Sequence, residues 1–129
     1  MTVRTWLGAK VARAVHERSL ALHGGAGGER DSGLLLSALA RPLQLDADGD
    51  NPDPFDLAAA YTSNVVKNHP FVDGNKRTGF VLGVLFLELN DHEFRADEAS
   101  ATEAVLALAT VTLDDAGYAA FLRDNVVAR

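Results

Sequence analysis

Residues 75–90 read NKRTGFVLGVLFLELN, a polar and cationic first turn that runs into Phe80–Leu87, a stretch apolar on every side. A helix lying on a protein surface keeps a polar face, so one that is apolar all round belongs at the centre of a bundle. A buried strand is the rival reading of a short apolar run. The length of the stretch and its polar first turn favour the helix.

Upstream, Asp53-Pro54 supplies a capping side chain and a first-turn proline, the mark of a helix start. That helix is expected to run to about Asn68 and to stop at His69-Pro70, because proline disfavours a helical residue before it. Leu7, Val11, Ala14, Val15 and Leu22 fall near a 3.6 period and predict a first amphipathic helix over about 3–22. His23–Gly28 holds four glycines in six residues and must be a loop. Asp31 or Ser32 can cap a short helix that buries Leu35, Ala38 and Leu39, with Arg41-Pro42 expected to end it. Downstream, Ala101, Ala104, Leu108 and Val111 form one stripe and Tyr118, Phe121 and Leu122 another, and Thr112 with Asp115 resembles a capping box between them. With no strict strand alternation, the reading is an all-α bundle of about six helices around a central apolar helix.

Residues 46–56 carry Asp46, Asp48, Asp50, Asp53 and Asp56 among prolines. Alternating aspartates are hard oxygen donors, but a calcium loop starting at Asp46 would need glycine at its sixth position and glutamate at its twelfth. Asn51 and Leu57 stand there, so a solvated acidic loop is expected.

The 129 residues fit one domain, residues 1–129, since a second would add roughly 100 more. A core of that size needs no staple. The chain has no cysteine, which excludes disulfides and thiolate zinc sites and suits a reducing compartment. A formal net charge of −6 argues against a nucleic-acid partner, which would call for a basic face. Arg4, Lys10, Arg13, His16, Glu17 and Arg18 leave no signal-peptide core near the start. The longest apolar stretch, 79–87, is under half the roughly 20 residues that span a bilayer. The sequence therefore reads as cytoplasmic, with no membrane partner.

The chemistry is concentrated in His69-Pro70-Phe71-Val72-Asp73-Gly74-Asn75-Lys76-Arg77-Thr78-Gly79, between the end of one helix and the start of the next. Free N–H groups and the positive dipole end make a helix start a natural anion site. Gly74 would let the backbone approach a phosphate closely. Lys76 and Arg77 are cations where the dipole disfavours them, so an anionic ligand would offset the conflict. Asp73 has the wrong sign for a phosphate and the right one for Mg2+, which is usually held by a carboxylate together with substrate phosphates. His69 can take a hydroxyl proton near neutral pH. Singly, each residue has a plainer reading: a helix-end histidine, an Asp-Gly turn, solvated cations, and Phe71 as core. Together they describe a phosphate-transfer site. A Walker phosphate loop is ruled out, because no glycine lies five residues before a Gly-Lys-Ser/Thr, and no HExxH zinc motif is present.

HPFVDGNKRTG resembles the signature of the Fic/Doc superfamily, whose usual form is HxFx(D/E)GNxxR or a close variant. Gly24-Gly25 followed by Glu29-Arg30-Asp31-Ser32-Gly33-Leu34-Leu35 resembles the loop and helix that precede the motif in death-on-curing (Doc) members, so the likeness spans roughly 7–125. The resemblance implies that His69 is the general base for a target hydroxyl and that Asp73 holds Mg2+ on the nucleotide. It implies phosphate binding by Gly74, Asn75, Lys76 and Arg77, and a structural role for Phe71. Arg30, Asp31, Ser32 and Gly33 would lie near the flap that positions the target.

AMP-transferring Fic enzymes typically carry glycine where this chain has Lys76 and a second arginine where it has Phe80. Asn75-Lys76-Arg77-Thr78 is instead similar to Doc toxins, which present the γ-phosphate of ATP and act as protein kinases. Gly74 is the position that looks more like Fic, so AMP transfer stays open beside phosphate transfer, as does an inert binding module of the same fold. Resemblance also implies a Ser/Thr hydroxyl of translation elongation factor Tu as the target class, with arrest of growth. No glutamate is followed by Gly or Asn, as the self-inhibitory helix of some Fic proteins requires. A cognate antitoxin inserting a helix or segment near the site is therefore the expected brake.

Overall fold

The computed structural model describes residues 3–49 and 51–129. Among these, the elements run α1 (Ala9–His23), α2 (Ser32–Ala47), α3 (Pro54–Asn68), α4 (Asn75–Leu89), β1 (His92–Phe94), α5 (Glu98–Ala109), α6 (Asp115–Asp124) and β2 (Val126–Ala128). The fold is all-α apart from the small antiparallel pair, in which Glu93 faces Val127. The pair joins segments more than 30 residues apart, and each strand has only three residues. Neither is long enough to show an alternation, which is why the sequence pattern does not reveal them.

α3 begins where Asp53-Pro54 predicts. Asp53 accepts the N–H groups of Phe55 and Asp56, and the Asp56 carboxylate accepts the Asp53 N–H, a complete capping box. Burial alone would raise the Asp53 carboxyl, but these N–H bonds and the Arg123 guanidinium at 2.7 Å hold it below its usual range. Arg123 also lies 5.3 Å over the Phe55 ring, tying α6 to the start of α3. Of the acidic stretch, Asp46 pairs with Arg4 at 3.5 Å and Asp53 and Asp56 cap α3, while Asp50 lies outside the described residues.

α3 and α4 form the centre. Leu57–Ser63, Val65 and Val66 are all buried on α3, and Leu82, Phe86 and Leu87 on α4. The two helices can lie this close because α4 presents glycines to α3. A Cβ on Gly83 would clash with Thr62 Oγ1 and sit 3.0 Å from the Ala58 carbonyl oxygen; one on Gly79 would sit 3.0 Å from the Thr62 carbonyl oxygen. The Thr62 hydroxyl donates to the Gly79 carbonyl at 2.7 Å, filling the gap. α2 and α6 pack on α3, and α1 and β1 on α4.

Five expectations need correction. α1 starts at Ala9, not near residue 3, because extended Gly8 separates it from a segment where Leu7 donates its N–H to the Tyr61 hydroxyl and Thr5 exchanges bonds with Asn90. α1 buries Ala12, His16 and Ser19, while Val11, Ala14 and Leu22 face solvent. α2 is capped by Asp31 and continues through Pro42 to Ala47. Proline forfeits one helical bond, offset here by burial of Pro42 and packing of Leu45 on the core. Finally, Val111 is 71% exposed, beyond the end of α5, and Asp114 rather than Thr112 caps α6, accepting the Gly117 N–H. The Thr112 hydroxyl is already engaged on the Ala107 carbonyl.

Gly83→Ala isolates the close approach. Alanine is the better helix former by roughly 1 kcal/mol, so propensity alone would stabilise. Overpacking against Thr62 and Ala58 should instead cost about 1–3 kcal/mol in urea unfolding. A net gain in stability would show that the two helices can part freely.

Candidate active site

Six residues, 69–74, connect the end of α3 to the start of α4. Pro70 denies His69 the right-handed helical region. His69 takes the left-handed one instead, φ 51 and ψ 58, with its N–H still bonded to the Val65 carbonyl at 3.2 Å. A non-glycine residue there costs on the order of 1–3 kcal/mol and persists only where its surroundings hold it. Those surroundings are explicit. Phe71 pairs with Glu29 as an isolated antiparallel bridge, the Pro70 carbonyl accepts the N–H groups of Arg30 (2.7 Å) and Asp31 (3.1 Å), and Val72 donates to the Gly28 carbonyl at 3.0 Å.

Phe71 is buried, as expected for the loop's anchor, and its ring stacks on that of His16 at 3.8 Å between centroids. The Asn75 carboxamide clips the Phe71 peptide from both sides, accepting its N–H at 3.0 Å and donating to its carbonyl at 2.9 Å. Asn75 Nδ2 is also 3.5 Å from Nδ1 of His69. The side chain of Asn75 is thus committed to the loop, and its main-chain N–H is what it offers at the helix start. The first N–H groups of a helix have no intrahelical acceptor.

Asp73 is exposed, with one carboxylate oxygen 2.9 Å from the Gly74 N–H and the other 3.3 Å from the Ala26 N–H. Its main-chain carbonyl accepts from His16 Nε2 at 2.8 Å. The glycine-rich loop packs directly on this carboxylate: a Cβ on Gly25 would lie 2.9 Å from Oδ2. Gly74 sits at φ 81, a left-handed turn that glycine takes without cost, and opens α4 with no side-chain cap. Lys76 and Arg77 follow in the first turn, both exposed.

His69, Asp73, Gly74, Asn75, Lys76 and Arg77 line one cavity of about 790 Å³. Farther along α4 the lining turns apolar, with Phe80 and Val84 facing Phe94, Val105 and Leu106 from β1 and α5. Phe80 meets Phe94 edge-on at 5.7 Å. Arg30, Asp31, Ser32 and Gly33 line none of this cavity. Arg30 and Asp31 touch the loop through their main chains, and the Arg30 guanidinium donates to the carbonyls of Asn68 and His69, each at 2.7 Å. Ser32 and Gly33 simply begin α2. His16 is the residue that sequence reading missed. Its only signal was a histidine on a helix whose apolar stripe pointed elsewhere.

A family model described as the Fic/DOC family matches residues 6–87, which hold α1 to α4 and the whole of this loop. The chain belongs to the Fic/DOC family. It is 43% identical over 76 residues to "Toxin Doc" of Mycolicibacterium smegmatis, covering 55% of this chain and 58% of that protein. It is 31% identical over 77 residues to "Protein kinase doc" of Escherichia phage P1, covering 60% and 61%. The matches thus span about three-fifths of each relative's length.

In this Fic/DOC chain, His16→Phe should keep the stack on Phe71 and delete the bond to the Asp73 carbonyl. A neutral hydrogen bond of about 0.5–1.5 kcal/mol corresponds to roughly 2- to 12-fold faster exchange of the Gly74 amide by NMR, with Val72 protection unchanged. Equal Gly74 exchange in both proteins would show that His16 does not restrain the turn.

Proposed function

We propose that this chain is a Doc-type toxin that transfers the γ-phosphate of ATP to a Ser/Thr hydroxyl of a target protein. The observation that carries the reading is the convergence of an imidazole, a carboxylate, two cations and an uncapped helix start on one cavity. The names of the two relatives, a toxin and a protein kinase, agree with it.

In this reading His69 accepts the proton of the target hydroxyl, and its oxygen bonds to the γ-phosphorus as the bond to the β-phosphate oxygen breaks and ADP leaves. Phosphoryl transfer is chiefly positioning and charge stabilisation. The N–H groups of Asn75 and Arg77 and the side chains of Lys76 and Arg77 would bind the phosphates, with Gly74 letting the backbone approach them closely. Asp73 fits Mg2+, because it is an exposed carboxylate beside the anion site and its protein partners are only main-chain N–H groups. The ion would neutralise phosphate charge. The segment that holds Arg30, Asp31, Ser32 and Gly33 would lie near the flap that aligns the target, and its first two residues bond the loop through their main chains. The target class would be elongation factor Tu, the site of action the cytoplasm, and the brake an antitoxin segment laid near the cavity.

AMP transfer is the second reading, and Gly74 favours it, since at this position the chain resembles the Fic pattern rather than that of the Doc prototype. Phe80 speaks for phosphate transfer. It stands in an apolar wall against Phe94 and cannot pair with a phosphate where AMP-transferring members place an arginine.

Label transfer in a lysate, run with α-labelled and γ-labelled ATP in parallel, separates the two. Label on a target protein is expected from γ-labelled ATP alone; label from the α position would establish AMP transfer instead. His69→Ala should lower the rate by roughly 10²–10⁴-fold, the usual worth of a general base. Full activity in that variant would end the assignment.

Asp73→Ala should lose most of the rate together with its response to added Mg2+. Wild-type Mg2+ dependence in this variant would place the ion elsewhere.

A further inference from the structure

The loop's base and its anion site are held from different sides, and the base has the more demanding backbone. His69 occupies a left-handed conformation that an imidazole-bearing residue does not choose unaided. Three groups fix it: its own N–H on Val65, Pro70 following it, and the guanidinium of Arg30.

Arg30 reaches across from the start of α2. Its Nη2 donates to the Asn68 carbonyl and its Nε to the His69 carbonyl, both at 2.7 Å, while its main-chain N–H donates to the Pro70 carbonyl. Three successive carbonyls are thereby fixed by one residue. The Asn68 and His69 carbonyls lie at the end of α3, where helical partners run out, and a cation there also agrees with the helix dipole. A planar guanidinium presents its donors to two successive carbonyls in a fixed, pre-organised geometry, which the flexible ammonium of lysine reproduces only in part. The side chain is exposed and lines no part of the cavity.

We infer that Arg30 is a positioning residue for His69, clamping the Asn68–His69–Pro70 backbone so that the imidazole is presented to the cavity. The inference rests on the reading of His69 as the base. It assigns Arg30 a task other than contacting the target directly.

The test compares wild type with Arg30→Ala and Arg30→Lys. A displacement of the base by about 1 Å can cost roughly 10²-fold in rate, so Arg30→Ala should lower kcat about 10- to 100-fold with KM for ATP unchanged. Arg30→Lys should recover part of the loss, and millimolar guanidinium added to Arg30→Ala should recover more. NMR signals of residues 68–70 and of the His69 ring supply a readout that needs no activity, and they should move in Arg30→Ala while core signals stay in place. A raised KM with normal kcat would overturn the proposal, showing a nucleotide contact. Unmoved His69 signals with normal kcat would overturn it equally. If wild type transfers no label and the His69 signals still move in Arg30→Ala, the clamp stands and the reading of the base falls.

Discussion

The close crossing of α3 and α4 is the constraint on which the rest depends. Gly79 and Gly83 remove the side chains that would hold the helices apart, and Thr62 fills the space with a hydroxyl bonded to the Gly79 carbonyl. With both helices buried along this seam, the end of one and the start of the other are fixed, and only six residues are available to join them. The loop cannot relax into a wide turn. Its left-handed residues, His69 and Gly74, stand at its two ends, where the chain must leave one helix and enter the next.

A short connector with backbone strain would be mobile if nothing held it. Here almost every restraint is a side chain or strand bonded to the loop's main chain. Asn75 holds the Phe71 peptide, His16 the Asp73 carbonyl, Arg30 the His69 carbonyl, and the segment 28–31 pairs alongside. Main-chain restraints leave the side chains of His69, Asp73, Lys76 and Arg77 outward, at the cavity. Rigid backbone with exposed functional groups is the combination that positioning chemistry requires. No disulfide contributes to it, since the chain has no cysteine.

What the sequence showed follows from how local each signal is. The bounds of α3, its Asp53 cap and the stop at His69-Pro70 rest on neighbours in the chain, and they appear in the structure where the sequence places them. Phe71 as anchor and the crowding of charge at the start of α4 were equally legible. The phase of α1 was not, because the stack of His16 on Phe71 and its bond to Asp73 outweigh an apolar stripe that includes Val11 and Leu22. Those partners lie more than 50 residues away in the chain. A separation of 38 and 39 residues likewise hides the bonds from Arg30 to Asn68 and His69, which no spacing rule anticipates. Pro42 misled for the opposite reason: a strong local stop signal gave way to tertiary packing of the turn beyond it.

The cavity combines two parts of the chain with different standing. Among the described residues, every hydrogen bond to the 69–74 loop comes from a residue between His16 and Thr78, inside the stretch that matches the family. The opposite wall, Phe94, Val105 and Leu106, lies beyond that match on β1 and α5, and it meets the site through apolar contact. A wall that shares no hydrogen bond with the loop can change its side chains without disturbing His69, Asp73 or the helix start. The hydrogen-bonded frame of the loop and the apolar wall that faces it are therefore physically separable in this fold. The match to the family takes in α1–α4 and with them the whole of that frame, while the wall lies outside it.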